Sequence, residues 1–547
     1  MTPARERLPV ALLALAAACS TALLVVLGAR LYFYIDDWDL LLHRPGWTAD
    51  ALLEPHQGHP SMALVAAYKL LQSSFGMDSI TPFTIAATLA FAASAIVLFF
   101  WLRRRVGDWL ALAGAVSILF LGSAYEDLLI PFQLGFFAPM ALGIGALLAF
   151  EREDRAGDAW ACALLVAALA FQSLGLIFVV AIAVVLALQR RLRTRAWVVL
   201  VPAALYALWY VGWGRDDPSQ LSFDNLATAP GFILDGFANS VSALLGLATN
   251  RDEAPVSPFD WGRPLLVLAL VVAGIWVWRR RQFSVWLWGM VAAGVTFWFL
   301  IAINASEFRS ADLSRYRYVG AIVVLMIVAE LLRGVRVGTA GIVATFAVVA
   351  IATLSNLSAL HQDYAARLPS TAVIAGGLGA LDIARDVADP ALVLDQDNSD
   401  FAYYGLIDAG SYLAASAAYG SLGYSADELP AAPERARVAA DKVLGAALGL
   451  RLQPISASAA GACEPVAMPG PESVPVPRGG TAIRVGEKPV RVSVRRYTED
   501  EFPVELGRLD AGQTAALAIP GDGSSQDWWM QLDGQGSAQV CPLEPRA

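Results

Sequence analysis

The feature that most constrains this chain is a succession of apolar runs, most of them about twenty residues long, separated by short loops crowded with arginine. Coiled as a helix, such a run matches the hydrocarbon thickness of a bilayer, and a helix satisfies all of its backbone hydrogen bonds within one segment. The runs lie near 8–30, 82–102, 108–123, 133–150, 158–173, 175–190, 196–213, 264–279, 284–303, 317–333 and 339–357. With 57% hydrophobic and only 16% charged residues, residues 1–358 read as an all-α polytopic membrane domain of about eleven crossings. The pair at 158–190 is interrupted only by Gln172-Ser173-Leu174-Gly175 and reads equally as a hairpin or as one broken helix. Arg5 and Arg7 precede the first run, which continues past Cys19 to Gly28, so an uncleaved first helix is expected instead of a signal peptide.

Basic loops alternate with loops poor in positive charge. Arg103–Arg105, Arg152/Arg155, Arg190/Arg191/Arg193/Arg195, Arg279–Arg281 and Arg333/Arg336 all fall on one side, which the positive-inside rule makes cytoplasmic. The expected location is a bacterial plasma membrane, N-terminus inside and C-terminus outside. Two further segments, Ser61–Phe75 and Gly231–Leu247, are too short or too mixed to cross and read as amphipathic helices along the outer surface. A net charge of −9 with dispersed basic loops excludes nucleic acid as a partner.

Beyond Asn356 the composition changes. Residues 359–455 read as a mostly helical extracytoplasmic segment, 456–480 as a Pro/Gly/Ser-rich linker, and 481–547 as a small β-sandwich on the alternation Val490-Arg491-Val492-Ser493-Val494. Together they make an α/β tail. If that tail is outside, Cys463 and Cys541 lie in an oxidising compartment, and a disulfide between them is expected.

Polar residues that a membrane disfavours mark the candidate site. Asp36-Asp37 follows the first crossing and is read as an extended segment, with Trp38 offering a flat face to a sugar or to the membrane interface. Three of the four histidines, His43, His56 and His59, share the next loop. There Glu54, His56 and His59, with Asp37, are candidate ligands for a divalent metal, or His56 and His59 bind substrate hydroxyls. A second acidic pair, Glu126-Asp127, and the nearby Gln133 belong to the same face, as does the loop Glu307–Tyr318. Its Arg315 and Arg317 stand where positive charge is scarce, suited to a phosphate or to pairing with the acidic residues.

This layout resembles the GT-C superfamily of integral-membrane glycosyltransferases, which use polyprenyl-phosphate sugars. The likeness covers roughly residues 1–360: an acidic pair in the first outer loop, a helix after it, a second outer acidic pair and a large tail. The run SAYEDLLIPFQLGF leading to RYRY is similar to actinobacterial members. The resemblance implies transfer of a hexosyl or pentosyl unit from a polyprenyl-phosphate donor to a cell-envelope glycan, lipid or protein, with Asp36 or Asp37 as the general base. Its partners would be that donor, the acceptor and membrane lipid. A flippase or transporter, or a polymerase or ligase of lipid-linked saccharides, would also use outer polar residues.

Overall fold

The computed structural model describes residues 3–216, 221–248, 261–280, 284–306, 308–394, 407–456, 463–499 and 501–543. The helices, in chain order, are α1 (Pro3–Gly28), α2 (Ile35–Leu42), α3 (Ala49–Leu53), α4 (Met62–Phe75), α5 (Thr81–Val106), α6 (Asp108–Leu119), α7 (Tyr125–Leu129), α8 (Leu134–Phe150), α9 (Arg155–Phe171), α10 (Leu176–Leu188), α11 (Leu192–Arg195), α12 (Trp197–Gly212), α13 (Phe223–Leu244), α14 (Gly262–Arg280), α15 (Val285–Ala302), α16 (Arg317–Leu331), α17 (Thr339–Ile383), α18 (Ala409–Tyr419) and α19 (Glu434–Ala447). The residues fall into two compact units. One comprises Met1–Arg30, Arg44–Leu71 and Thr81–Ala365; the other comprises Leu31–His43, Gln72–Ile80 and Ala366–Ala547.

The first unit is a helical bundle. Among the described residues, seven helical stretches are long and apolar enough to cross a membrane: Arg7–Gly28, Thr81–Val106, Asp108–Leu129, Pro131–Phe150, Gly262–Arg280, Val285–Ala302 and Thr339–Ile383. The expected eleven are therefore not all supported. Ser173–Leu188 and Trp197–Gly212 are apolar but shorter, α9 spans 17 residues and α16 only 15. Gln172 is extended at φ −168°, ψ 156° between α9 and α10, and a 3₁₀ turn, Ser314–Tyr316, precedes α16.

Ion pairs decide the open question at 158–190. Arg195, after α10, bonds through its guanidinium to Asp158 in the first turn of α9, and Arg191 pairs with Glu153 at 2.9 Å. The start of one helix is thereby tied to the end of the other, so the segment goes out and returns as a hairpin. The remaining basic loops gather at the same end. Arg105, stacked on Trp101, joins Glu151 and Glu330; Gly334 donates to the Arg105 carbonyl; and Arg280 bonds to the carbonyls of Leu331 and Arg333. Charge alternation in the sequence thus reappears as a spatial cluster.

The expected surface helix in Gly231–Leu247 is instead part of the bundle. It is the second half of α13, packed against α14, α15 and α16. A Cβ at Gly236 would lie 2.2 Å from the Trp298 indole, so glycine is what admits that ring. The segment Ser61–Phe75 does form a helix, α4, yet Lys69 is buried and donates to the Arg44 carbonyl.

Among the described residues the second unit carries α2, the end of α17, α18, α19 and nine strands. One sheet runs β1 (Leu452–Pro454), β7 (Thr514–Ile519), β4 (Gly479–Val485), β9 (Gly536–Pro542), β2 (Glu464–Met468). The other runs β3 (Glu472–Val476), β8 (Trp528–Gly534), β5 (Val490–Arg495), β6 (Val504–Leu509). All pairings are antiparallel. Val490, Val492 and Val494 are buried and alternate with exposed or half-exposed Arg491, Ser493 and Arg495, the period-2 pattern of a sheet with one core face. Two expectations need correction. The stretch 456–480 is not simply a linker, since β2, β3 and the start of β4 lie in it; its prolines and glycines sit in and between short strands. The helical segment is also fastened to the sheets: buried Asp441 of α19 accepts from the backbone amides of Arg496, Tyr497 and Thr498 at 2.9–3.1 Å. The expected disulfide Cys463–Cys541 is present. Register explains it: Glu464 faces Val540 across β2 and β9, which sets Cys463 opposite Cys541.

Candidate functional site

Asp36 and Asp37 belong to the second unit, in the first turn of α2 instead of an extended segment. The Asp37 carboxylate, with the residue 0% exposed, accepts from the Tyr34 amide at 2.7 Å, closing a capping box at its own helix start. Asp36 is half-buried. Trp38 is not available as a platform. It is 1% exposed, with its ring edge-on to Phe33 at 5.4 Å and Tyr412 at 6.3 Å, so it is a core residue of that unit. His43 spans Asp39 (3.3 Å) and Asp408 (3.1 Å).

The other expected residues converge inside the first unit. His56-Gln57-Gly58-His59 closes as a two-residue turn: the amides of His56 and His59 each donate to the other's carbonyl at 3.0 Å. Gln57 has φ 50° and Gly58 φ 80°, a left-handed pair that the glycine makes accessible. The Arg44 guanidinium holds the segment leading in, through the carbonyls of Glu54 (2.9 Å) and Pro55 (2.8 Å) and the Glu54 carboxylate (3.3 Å). This sets the buried His56 ring on Phe132 at 5.0 Å, next to Gln133. His59 has its pKa lowered to about 4, first by loss of hydration and then by the positive Arg309 and by His56.

A second set of bonds joins α7 to the loop before α16. The Arg315 amide donates to Glu126 Oε2 at 3.0 Å. Ser314 Oγ accepts from the Glu126 amide (3.2 Å) and donates to the Ser123 carbonyl (3.0 Å). Ser123 is in turn held by Asn356 Oδ1 at 2.8 Å. Gly122 beside it meets Asn356 so closely that a Cβ would lie 1.9 Å from that residue's carbonyl oxygen. Arg317, 3% exposed, donates to Asn239 Oδ1 (3.0 Å) and to the carbonyls of Ser123 (2.9 Å) and Asp312 (3.1 Å). Its observed contacts brace three segments, a use that the expected phosphate contact did not foresee. Arg315 is half-exposed, its guanidinium near the Tyr316 ring and the Phe308 carbonyl.

Within this frame Asp127 is 0% exposed, and neither carboxylate oxygen has a hydrogen-bond partner among the described residues. Glu126, Arg315 and Tyr318 are the charged or titratable groups in electrostatic reach of it. Gln133 is likewise buried with its Oε1 unpartnered among the described residues. Buried polar atoms are nearly always satisfied, so two such side chains in neighbouring segments mark a place where a partner other than the described residues fits. Sequence reading assigned no role to Asn239, Asn356 or Ser123, for which small polar residues in or beside apolar runs were the only signal; Arg309 belongs to the arginine loop already singled out. Glu307 lies outside the described residues. Among the described residues no group of three or more His, Cys, Asp or Glu is placed to hold a metal ion. No protein-family model matches the chain, and no curated protein matches it.

Proposed function

We propose that this chain is a membrane glycosyltransferase that moves a sugar from a polyprenyl-phosphate donor to a hydroxyl of an envelope glycan, lipid or protein. The observation that carries the reading is Asp127, a buried carboxyl to which no donor among the described residues is bonded. A substrate hydroxyl supplies that donor. As the hydroxyl oxygen attacks the anomeric carbon, Asp127 takes its proton and the bond to the lipid phosphate breaks. Arg315 and Arg309 are the cations that would face the departing phosphate. His56 and His59, fixed by their turn, and Gln133 hold sugar hydroxyls. Glu126 sets the Arg315 backbone.

The basic end of the bundle is assigned to the cytoplasm by the positive-inside rule, and the Asp127 end to the opposite face. Reporter fusion within Arg103–Arg105 checks that orientation; a reporter active only outside would reverse it. For the reaction, purified protein in nanodiscs is given polyprenyl-phosphate sugars and release of lipid phosphate is measured. Asp127→Asn is expected to stop release. Because the resemblance puts the base at Asp36 or Asp37, Asp36→Asn is run in parallel. Parental rates in both variants and in Asp37→Asn would remove the carboxylate mechanism. A buried unpartnered carboxyl also suits a proton-coupled carrier of lipid-linked saccharide; movement of intact donor across the bilayer without release of phosphate would favour it.

A further inference from the structure

At the arginine-rich end of the first unit is a cavity of about 210 Å³, lined by Phe150, Gln189, Arg195, Trp286 and Arg333 with Glu151 and Glu153. It lies away from every residue assigned to sugar transfer, and its volume is many times what one water needs, roughly 15 Å³. The acids on its wall are already neutralised by arginines outside the lining. Glu151 pairs with Arg104 and Arg105, and Glu153 with Arg191. The two lining arginines keep unused donors. Arg195 spends Nε and Nη2 on Asp158 and the Phe150 carbonyl, and its Nη1 bonds to none of the described residues. Among the described residues Arg333 uses only Nη1, toward Ser284 and Glu330, leaving Nε and Nη2. Opposite in character, the Gln189 Oε1 is buried and accepts from none of the described residues.

We propose that this cavity binds the head group of a membrane phospholipid whose phosphate ester carries a hydrogen-bond donor, as ethanolamine and glycerol do and choline does not. The phosphate oxygens accept from Arg195 Nη1 and Arg333, a charge-assisted contact that guanidinium geometry favours. The ammonium or hydroxyl donates to Gln189 Oε1, satisfying an acceptor that is otherwise costly to bury. Trp286, an amphipathic ring at a helix start, borders the site where acyl chains would begin. Basic cavities between membrane helices are suited to lipid phosphates in this way. The inference is independent of the proposed sugar transfer.

The test is native mass spectrometry of the full-length protein, with lipid retention measured after equilibration in vesicles of phosphatidylcholine doped with phosphatidylethanolamine or phosphatidylglycerol. Both doped lipids are expected to be retained roughly three- to tenfold more strongly than phosphatidylcholine, as for the one hydrogen bond to Gln189 Oε1 that choline cannot donate. Gln189→Leu with Arg333→Gln should abolish that preference, while Arg103→Gln, at the same end but outside the lining, should preserve it. Should the double variant fail to fold, Gln189→Leu alone must narrow the preference over choline. Equal retention of all three lipids, or an unchanged preference in a folded double variant, overturns the proposal. Stabilisation by soluble glycerol 3-phosphate with no lipid preference would assign the cavity to a soluble phosphate ester and overturn the lipid assignment.

Discussion

Asp37 and Asp127 look alike in sequence, each the second acid of a pair near an apolar run, and each is 0% exposed. Their surroundings differ. Asp37 turns back to the Tyr34 amide of its own helix start, so a donor three residues away satisfies its carboxyl and caps one helix. Asp127 sits in a short helix pinned by Ser314 and Arg315 to a loop almost two hundred residues away, and its oxygens accept from no described residue. Equal burial therefore says little about role. What separates a structural carboxylate from a candidate catalytic one is whether the chain itself supplies the donors.

Four experiments press on that contrast. The largest effect is expected for Asp127→Asn, which should slow transfer by on the order of 10²–10⁴ with little change in melting temperature, since no observed hydrogen bond to the carboxylate is lost. A large drop in stability with transfer retained would put Asp127 alongside Asp37 as structural. Next is Arg317→Ala, which strips donors from Asn239 Oδ1 and two carbonyls and should destabilise the protein by about 3 kcal/mol. An unaltered melting curve combined with weakened donor use would restore its expected role at the phosphate. Asp37→Ala, leaving the Tyr34 amide without its cap, should cost about 1 kcal/mol and leave transfer near the parental rate; loss of transfer in a fully stable variant would break the comparison outright. The smallest effect is in pH. His59 has a folded pKa of about 4, below its unfolded value near 6.5, so the unfolded chain binds its proton first. Stability is full above about pH 6.5 and declines as pH falls toward 4, and His59→Phe should flatten that part of the profile in thermal melts.

Much of the general layout was legible in the chain because it depends on short-range terms. Apolar runs predict helices, arginine loops predict a common end, and the Val490–Val494 alternation predicts a two-faced strand; none of these needs a distant residue. The Cys463–Cys541 pairing was also reachable by counting. The span number was not, since the runs near 158–190, 196–213 and 317–333 coil into helices of only 13 to 17 residues, and the length of a helix inside an apolar run is set by its long-range neighbours. Nor was the inward fate of Trp38, because an aromatic ring serves equally well at an interface or in a core until its neighbours Phe33 and Tyr412 are known.

The sequence by itself determined that this is a chain of membrane-length apolar helices with charge sorted by loop and a β-rich end, since hydropathy, charge and period are properties of consecutive residues. Only the tertiary structure decided which polar residues are spent on the fold. A hydrogen-bond donor that satisfies a buried carboxylate can come from three residues away, as Tyr34 does for Asp37, or be absent altogether, as for Asp127 among the described residues. That difference exists only once the chain has chosen its long-range neighbours.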